Sequence, residues 1–166
     1  MNGIFITLGK ALSTCHSLEA SVFAMCSNLV AIMSLPTGGN VQETELINYF
    51  NDAKTAVKKM SFHTRIQKLG QLAPKVFNPD VIEVLLQAKK IRNEIAHDFM
   101  SENSFLLFTP NNRQLLAEKL ESHLQLLKAT DDKFYSISEQ LLVDMQLDPS
   151  EFWSQVAQEW LIERHA

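Results

Sequence analysis

Apolar residues recur at intervals of three and four along most of the chain, which is the spacing of one face of an α-helix. The five prolines fall where such segments begin or end, and Asn78, Thr109 and Asp148 each precede a proline as residues able to cap a helix. The helix predicted to start at Pro110 is either continuous or broken near 130–132. Pattern and punctuation together predict helices near residues 5–35, 43–60, 62–73, 79–99, 110–146 and 149–163, with a glycine-containing loop at 36–42.

Sustained strand alternation is not found, and the apolar run 105–108 is the one strand-like segment. At four residues it fits a strand or a packed connector equally well. The linkers are short, so successive helices should be neighbours. The sequence therefore predicts an all-α fold, an antiparallel helical bundle of five to six helices in a single domain spanning residues 1–166. Met25 and Met33 are predicted to fill gaps in its core.

The last predicted helix carries its own apolar positions. Trp153, Val156, Ala157 and Trp160 recur at helical spacing. We expect residues 149–166 to form a C-terminal docking helix that packs on the bundle or on a second subunit.

Composition and the cysteine positions limit the class of protein and its cellular compartment. The 166 residues are 46% hydrophobic and 20% charged, which is enough apolar material for a core. Cys15 and Cys26 lie in one predicted helix, about 16 Å apart at a rise of about 1.5 Å per residue, which is too far for a disulfide. Cys26 is predicted to be a buried, inert thiol. The start of the chain does not resemble a signal peptide, and the uncharged stretch 20–42 contains too many polar residues and glycines for a membrane span. We expect a cytoplasmic protein with no membrane partner.

The charge is unevenly distributed along the chain. Residues 54–92 carry nine basic and two acidic side chains, although the net charge of the whole chain is -4. Such asymmetry is typical of a face that meets phosphate. A solvated basic face paired with the acidic C-terminal half would give the same pattern.

The fourth predicted helix carries the most informative residues. Placed about 100° apart, its apolar side chains share one broad face, formed by Val81, Val84, Leu85, Ala88, Ile91, Ile95 and Phe99. Lys89, Asn93, Ala96 and His97 lie away from that face, and Arg92 falls at its edge. Asn93 and His97 are four apart, so on a continuous α-helix they are adjacent.

This group of side chains suits an anionic ligand. An arginine supplies a charged fork for phosphate oxygens, and a histidine can move a proton near neutral pH. An arginine and a histidine at a helix C-terminus can also serve only to complement the helix dipole. The remaining histidines, His16, His63, His123 and His165, have no partners at a metal-binding spacing, and we expect neither a metal nor a cofactor.

Residues Ile91-Arg-Asn-Glu-Ile-Ala-His-Asp-Phe99 resemble the signature of the HEPN superfamily, in which an arginine and a polar residue are followed by three further residues and then a histidine. The resemblance implies a helical protein that cleaves RNA without a metal. It implies that Arg92 and His97 are the catalytic pair and that Asn93 orients them. Two such pairs facing each other in a homodimer would form one cleft. The basic residues would bind the RNA, and we assign this role to Lys89, Lys58, Lys59, Arg65 and Lys68.

Many members of this superfamily are toxins of toxin–antitoxin pairs or defence effectors, so a cognate antitoxin protein is an implied partner. In one subgroup a tyrosine two residues after the histidine is nucleotidylated, and here that position is Phe99. The absence of a hydroxyl argues against silencing by that route. Other members have lost activity, so the second interpretation is a non-catalytic HEPN-like interaction or regulatory module, comparable to the mannitol operon repressor.

Overall fold

The computed structural model describes residues 2–36 and 42–165, and for Asn2, Met100 and residues 159–165 it describes the backbone alone. The described chain is helical throughout its elements and contains no strand, which confirms the predicted all-α class. The elements are helices α1 (Asn2–Ser34), α2 (Glu43–Lys58), α3 (Phe62–Leu72) and α4 (Pro79–Asn93), a π-helical turn (Glu94–Asp98), α5 (Phe99–Asn103), a 3-10 turn (Ser104–Phe108), α6 (Pro110–Asp144) and α7 (Pro149–His165).

Local side-chain bonds explain where several helices begin. The Asn78 side chain accepts a hydrogen bond from the Val81 amide at 3.1 Å, as the sequence predicted for the start of α4. Asp148 accepts from the Ser150 hydroxyl and from the Ser150 amide, each at 2.8 Å, and these hydrogen bonds lower the pKa of its carboxyl. Ser61, which the sequence analysis did not single out, caps α3.

The contacts within the chain group it into two compact units. The first unit comprises Met1–Leu18 and Glu83–Phe134, and the second comprises Glu19–Ile82 and Tyr135–Ala166. The boundaries therefore fall inside α1, α4 and α6. The single domain expected from the sequence stays a prediction.

Each unit has its own buried apolar side chains. In the first unit these are Ile4, Ala11, Cys15, Leu18, Leu85, Ala88, Ile95, Phe99, Leu116, Leu120, Leu124, Leu127 and Phe134. In the second they include Val22, Met25, Cys26, Leu29, Val57, Ile66, Leu69, Phe77, Val81, Leu141 and Leu142. Full burial of each large side chain contributes about 1.5–3 kcal/mol, so these two sets dominate the stability of the fold.

Several details differ from the sequence predictions. Met25 is buried as predicted, but the prediction for Met33 is wrong, because its side chain is 66% exposed near the end of α1. Helix α6 continues without a break through 130–132, where the Thr130 hydroxyl donates to the Leu126 carbonyl at 2.9 Å. The apolar run 105–108 forms the 3-10 turn and not a strand.

Two predicted segments, the loop 36–42 and the C-terminal docking helix, lie partly outside the described residues. Residues 37–41 of the predicted loop are not among those that the structure describes, and neither is the Trp160 side chain of the docking helix. The indole of Trp153 lies near the rings of Tyr135 and Phe152, with centroids 5.2 and 4.8 Å away. Within the second unit, α7 thus has an aromatic contact to α6.

Helix α1 has the length and composition of a membrane span, a property shared by the core helices of soluble proteins. In the most apolar 18-residue stretch of α1, 44% of the residues are buried within the protein. The buried positions include Ala11, Cys15, Leu18, Val22 and Leu29, which recur at helical spacing. The predicted cytoplasmic location stays a prediction.

Candidate functional site

The backbone changes its winding at the residues that the sequence singled out. Helix α4 ends at Asn93, and Glu94–Asp98 is a π-helical turn in which the Phe99 amide donates to the Glu94 carbonyl five residues earlier. The predicted α-helix over 79–99 is therefore wrong in its last part. Sequence periodicity cannot reveal this change, because a π turn depends on one altered backbone hydrogen bond.

The π turn alters which side chains share a face. In a regular α-helix, positions 92 and 97 would point about 140° apart, since successive residues differ by about 100°. A π turn closes its hydrogen bond over one more residue, so position i+5 comes round towards position i. Positions 92 and 97 therefore do not keep the separation of about 140° that a regular α-helix would give them. Asn93 and His97, expected to be adjacent, lose the regular α-helical relation on which that expectation rested.

The two side chains of the pair differ in exposure. His97 is exposed, whereas Arg92 is half-buried and its Nη1 donates to Oδ1 of Asn93 at 3.1 Å. The half-buried Asn93 thus accepts a hydrogen bond from one nitrogen of the guanidinium, and its role in orienting the pair stays a prediction. Phe99, directly after the turn, is fully buried and anchors the turn to the core of the first unit.

Helix α6 brings two further polar side chains to this turn. Lys119 Nζ lies 2.5 Å from Glu94 Oε1. One turn further along α6, His123 is half-buried and its Nδ1 is buried without a hydrogen-bond partner in the described part of the chain. Burial lowers the pKa of His123, the Glu94 carboxylate opposes this effect and Lys119 reinforces it. A neutral imidazole therefore lies beside the motif turn.

The position of His123 beside the π turn was not predicted from the sequence. The available signal was the spacing of Lys119 and His123, which are four apart and so share a face of α6. That spacing does not say what the face packs against. Only the packing within the first unit places the pair next to Glu94.

The predicted RNA-binding residues fall in both units. Lys89 is half-buried on α4 in the first unit, which also contains Arg92, Asn93 and His97. The second unit holds the other four predicted residues, of which two are exposed and two half-buried: Lys58, Lys59, Arg65 and Lys68. The structure thus places the motif residues in the first unit. The four residues of the second unit, Lys58, Lys59, Arg65 and Lys68, are called the basic cluster below.

Arg65 has a structural role within the basic cluster. Its Nε donates to the Val57 carbonyl at 3.2 Å and its Nη2 to the Lys58 carbonyl at 3.3 Å, both in the last turn of α2. Its guanidinium also lies 5.0 Å from the centre of the Phe23 ring. Burial lowers its pKa. Arg65 therefore ties α2 and α3 to α1, whatever further contact it makes with a ligand.

Cys26 is buried, as predicted. Burial raises the pKa of its thiol to about 11, although Arg65 and Lys68 act in the opposite direction. The thiol is consequently protonated at neutral pH and a poor nucleophile. Among the residues that the structure describes, no group of three or more His, Cys, Asp or Glu side chains is arranged to hold a metal ion.

Comparisons with models of known protein families, with curated proteins and with solved structures found no match to this chain. The site must therefore be interpreted from its own residues.

Proposed function

We propose that the protein is a HEPN-like, metal-independent endoribonuclease whose reacting groups are Arg92 and His97 from two subunits. The observation that carries the proposal is the π turn at Glu94–Asp98, which contains the exposed His97 and directly follows the Arg92 guanidinium that donates to Asn93. π turns within helices occur frequently at functional sites. The resemblance of residues 91–99 to the HEPN signature supplies the reaction.

RNA carries its own nucleophile beside each phosphodiester. One imidazole, in its neutral form, would take the proton of the 2′-hydroxyl while the 2′-oxygen bonds to phosphorus. The bond from phosphorus to the 5′-oxygen breaks, and a second, protonated imidazole gives its proton to that oxygen. The products are a 2′,3′-cyclic phosphate and a free 5′-hydroxyl. The guanidinium of Arg92 would stabilise the charge that gathers on the phosphate oxygens.

A homodimer is part of this proposal because one His97 cannot serve both sides of an in-line displacement. A two-fold arrangement supplies two copies of His97 to one cleft. The first unit offers exposed apolar side chains outside the motif that a second copy could cover, among them Phe5, Ile6 and Leu115. The acidic side chain of Asp98 is exposed beside His97, so the RNA would have to approach from the side of Arg92.

A toxin role would bring an antitoxin protein as a partner. Silencing by nucleotidylation at position 99 is not expected, because Phe99 has no hydroxyl and its ring is fully buried. An antitoxin of this protein would therefore act by covering the site. The basic cluster of the second unit, led by the exposed Lys58 and Lys59, would attract the RNA backbone.

The test is incubation of the purified protein with end-labelled RNA in the presence of a chelator. We expect fragments ending in a 2′,3′-cyclic phosphate from the wild type and none from His97→Ala. His16→Ala is the matched control, because His16 is an exposed histidine of the same unit outside the motif. Equal cleavage by wild type and His97→Ala would contradict the proposal.

A non-catalytic interaction module is the second candidate, and a feature of the second unit favours it. A groove of about 690 Å³ runs between α1, α2 and α7. Apolar side chains such as Phe50 and Phe152 line it together with the carboxylates of Glu43, Asp148 and Glu151. Intact RNA in the assay above, together with wild-type protein that is dimeric and folded, would favour this candidate.

A further inference from the structure

Two aromatic rings stand out from the surface of the first unit, shortly after the motif. Phe105 is 63% exposed and Phe108 is 85% exposed, both on the 3-10 turn. The residues between them, Leu106 and Leu107, are half-buried. The turn thus uses its leucines to pack against the protein and presents its two phenyl rings to solvent.

The geometry of a 3-10 turn places positions 105 and 108 on the same side of it. Side chains three residues apart eclipse one another along its axis. At a rise of about 2.0 Å per residue, the two positions are about 6 Å apart. Stacked bases are about 3.4 Å apart along a strand, so the gap is close to the thickness of one base with a ring on either side. The pair has the spacing of a stacking platform.

The turn is held in place relative to the motif. Helix α5 contacts both the π turn and the 3-10 turn. The buried amide of Asn103, at the end of α5, donates to the Phe99 carbonyl at 2.7 Å. Phe105 follows His97 by eight positions in the chain. With a helical rise of about 1.5 Å per residue, their backbones are no more than about 12–14 Å apart along the chain axis. That distance corresponds to a few nucleotides of an extended strand.

The surroundings of the rings favour contact with one or two nucleic-acid bases over contact with a protein surface. Polar or small residues next to them in the chain are exposed, including Ser101, Glu102, Ser104, Thr109 and Asn111. A stable protein interface covers about 800 Å² on each partner. Two phenyl rings bordered by polar side chains provide far less apolar surface than that, but they match the faces of one or two bases.

We propose that Phe105 and Phe108 form a stacking platform for unpaired bases, which makes single-stranded RNA the substrate class of this site. This inference rests on the proposed ribonuclease function. Base–aromatic stacking is tolerant of sequence, because every base has a π face. The platform would hold the strand beside the Arg92 and His97 side chains and select flexible RNA over duplex RNA, whose bases are already stacked.

The experiment measures binding of a fluorescent single-stranded RNA, with His97→Ala as the background so that the RNA stays intact. Phe105→Ala and Phe108→Ala should each weaken binding by about 5- to 100-fold, which corresponds to the usual effect of losing one stacked base. Phe105→Leu and Phe108→Leu keep the apolar character but lack the aromatic face, and they should weaken binding to a similar degree. Binding of a matched RNA duplex should not change.

Controls separate the possible failures. Val143→Ala removes an exposed apolar side chain of the second unit and should leave RNA binding unchanged. Leucine variants that bind single-stranded RNA as tightly as the parent would overturn the platform and leave the ribonuclease proposal standing. Phenylalanine variants that change the solution mass from dimer to monomer would overturn it in favour of a second copy of the chain at this surface. Wild-type protein that does not cleave RNA, together with a His97→Ala parent that does not bind it, would overturn both proposals.

Discussion

Lys119 of helix α6 and Glu94 of the π turn form an ion pair, with Nζ 2.5 Å from Oε1. Glu94 follows Arg92 and Asn93 directly, so the pair connects the motif to the long helix that packs beside it. It also sets the charge around His123, because both members act on that imidazole.

Removing the ion pair should have a measurable but modest effect on stability. The two side chains are 44% and 26% exposed, so solvent screens their attraction, and we expect a coupling of about 0.5–1 kcal/mol. The measurement is a double-mutant cycle of Glu94→Gln and Lys119→Gln by chemical denaturation. Glu118→Gln, at an exposed neighbouring position, is the control. A coupling of zero would show that the pair does not hold the turn.

Acidification should destabilise the protein through His123. Because burial depresses the pKa of His123 in the folded state, the unfolded chain takes up a proton first as the pH falls below about 6.5. The stabilising effect of the neutral imidazole is thus present above that pH and is lost as the pH falls towards the lowered pKa. The free energy of unfolding of wild type should drop more between pH 7.5 and 5 than that of His123→Gln. His16→Gln, at an exposed histidine, should follow the wild-type curve.

Asn93→Ala should slow RNA cleavage without unfolding the protein. The substitution removes the acceptor that holds Arg92 Nη1 at 3.1 Å, and the loss of one such bond corresponds to about a tenfold decrease in rate. In the proposed mechanism Asn93 acts only through Arg92, so the decrease should appear in kcat more than in KM. Asn93→Asp keeps an acceptor and should retain more activity than Asn93→Ala at saturating RNA. Identical kcat values for wild type and Asn93→Ala would contradict this role.

Arg65→Met should destabilise the fold by about 1–3 kcal/mol. The substitution removes two hydrogen bonds to the end of α2 and the contact of the guanidinium with Phe23. Arg65→Lys keeps the charge and should lose less. Thermal or chemical unfolding provides the measurement, with Lys59→Met as an exposed control. Unchanged stability with weakened RNA binding would show that Arg65 serves the ligand alone.

The exposed lysines at the end of α2 should affect the salt dependence of RNA binding. Each lysine that neutralises a phosphate contributes about one to the slope of log affinity against log salt. The double substitution of Lys58 and Lys59 by glutamine should therefore lower the slope by about two. Lys128→Gln, at an exposed position of α6, should leave it unchanged. An unaltered slope in the double variant would remove these two residues from the RNA-binding surface.

Much of the fold could be predicted from the sequence because its determinants are local. The start of α4 follows from the capping side chain of Asn78, and the burial of Cys26 and Leu29 follows from the apolar period of α1. Arg92 and Asn93, which are adjacent in the chain, form a hydrogen bond, and the catalytic and orienting roles assigned to them stay predictions.

The sequence by itself thus determined the helical class, most helix boundaries and the identity of the motif residues, all of which depend on groups a few positions apart. Tertiary structure decided the π turn at Glu94–Asp98, the partnership of that turn with Lys119 and His123, and the exposure of Phe105 and Phe108. The physical reason is that a backbone hydrogen bond can shift by one residue at little cost when packing favours it, and a periodic pattern shows which face is apolar but not which helix covers it.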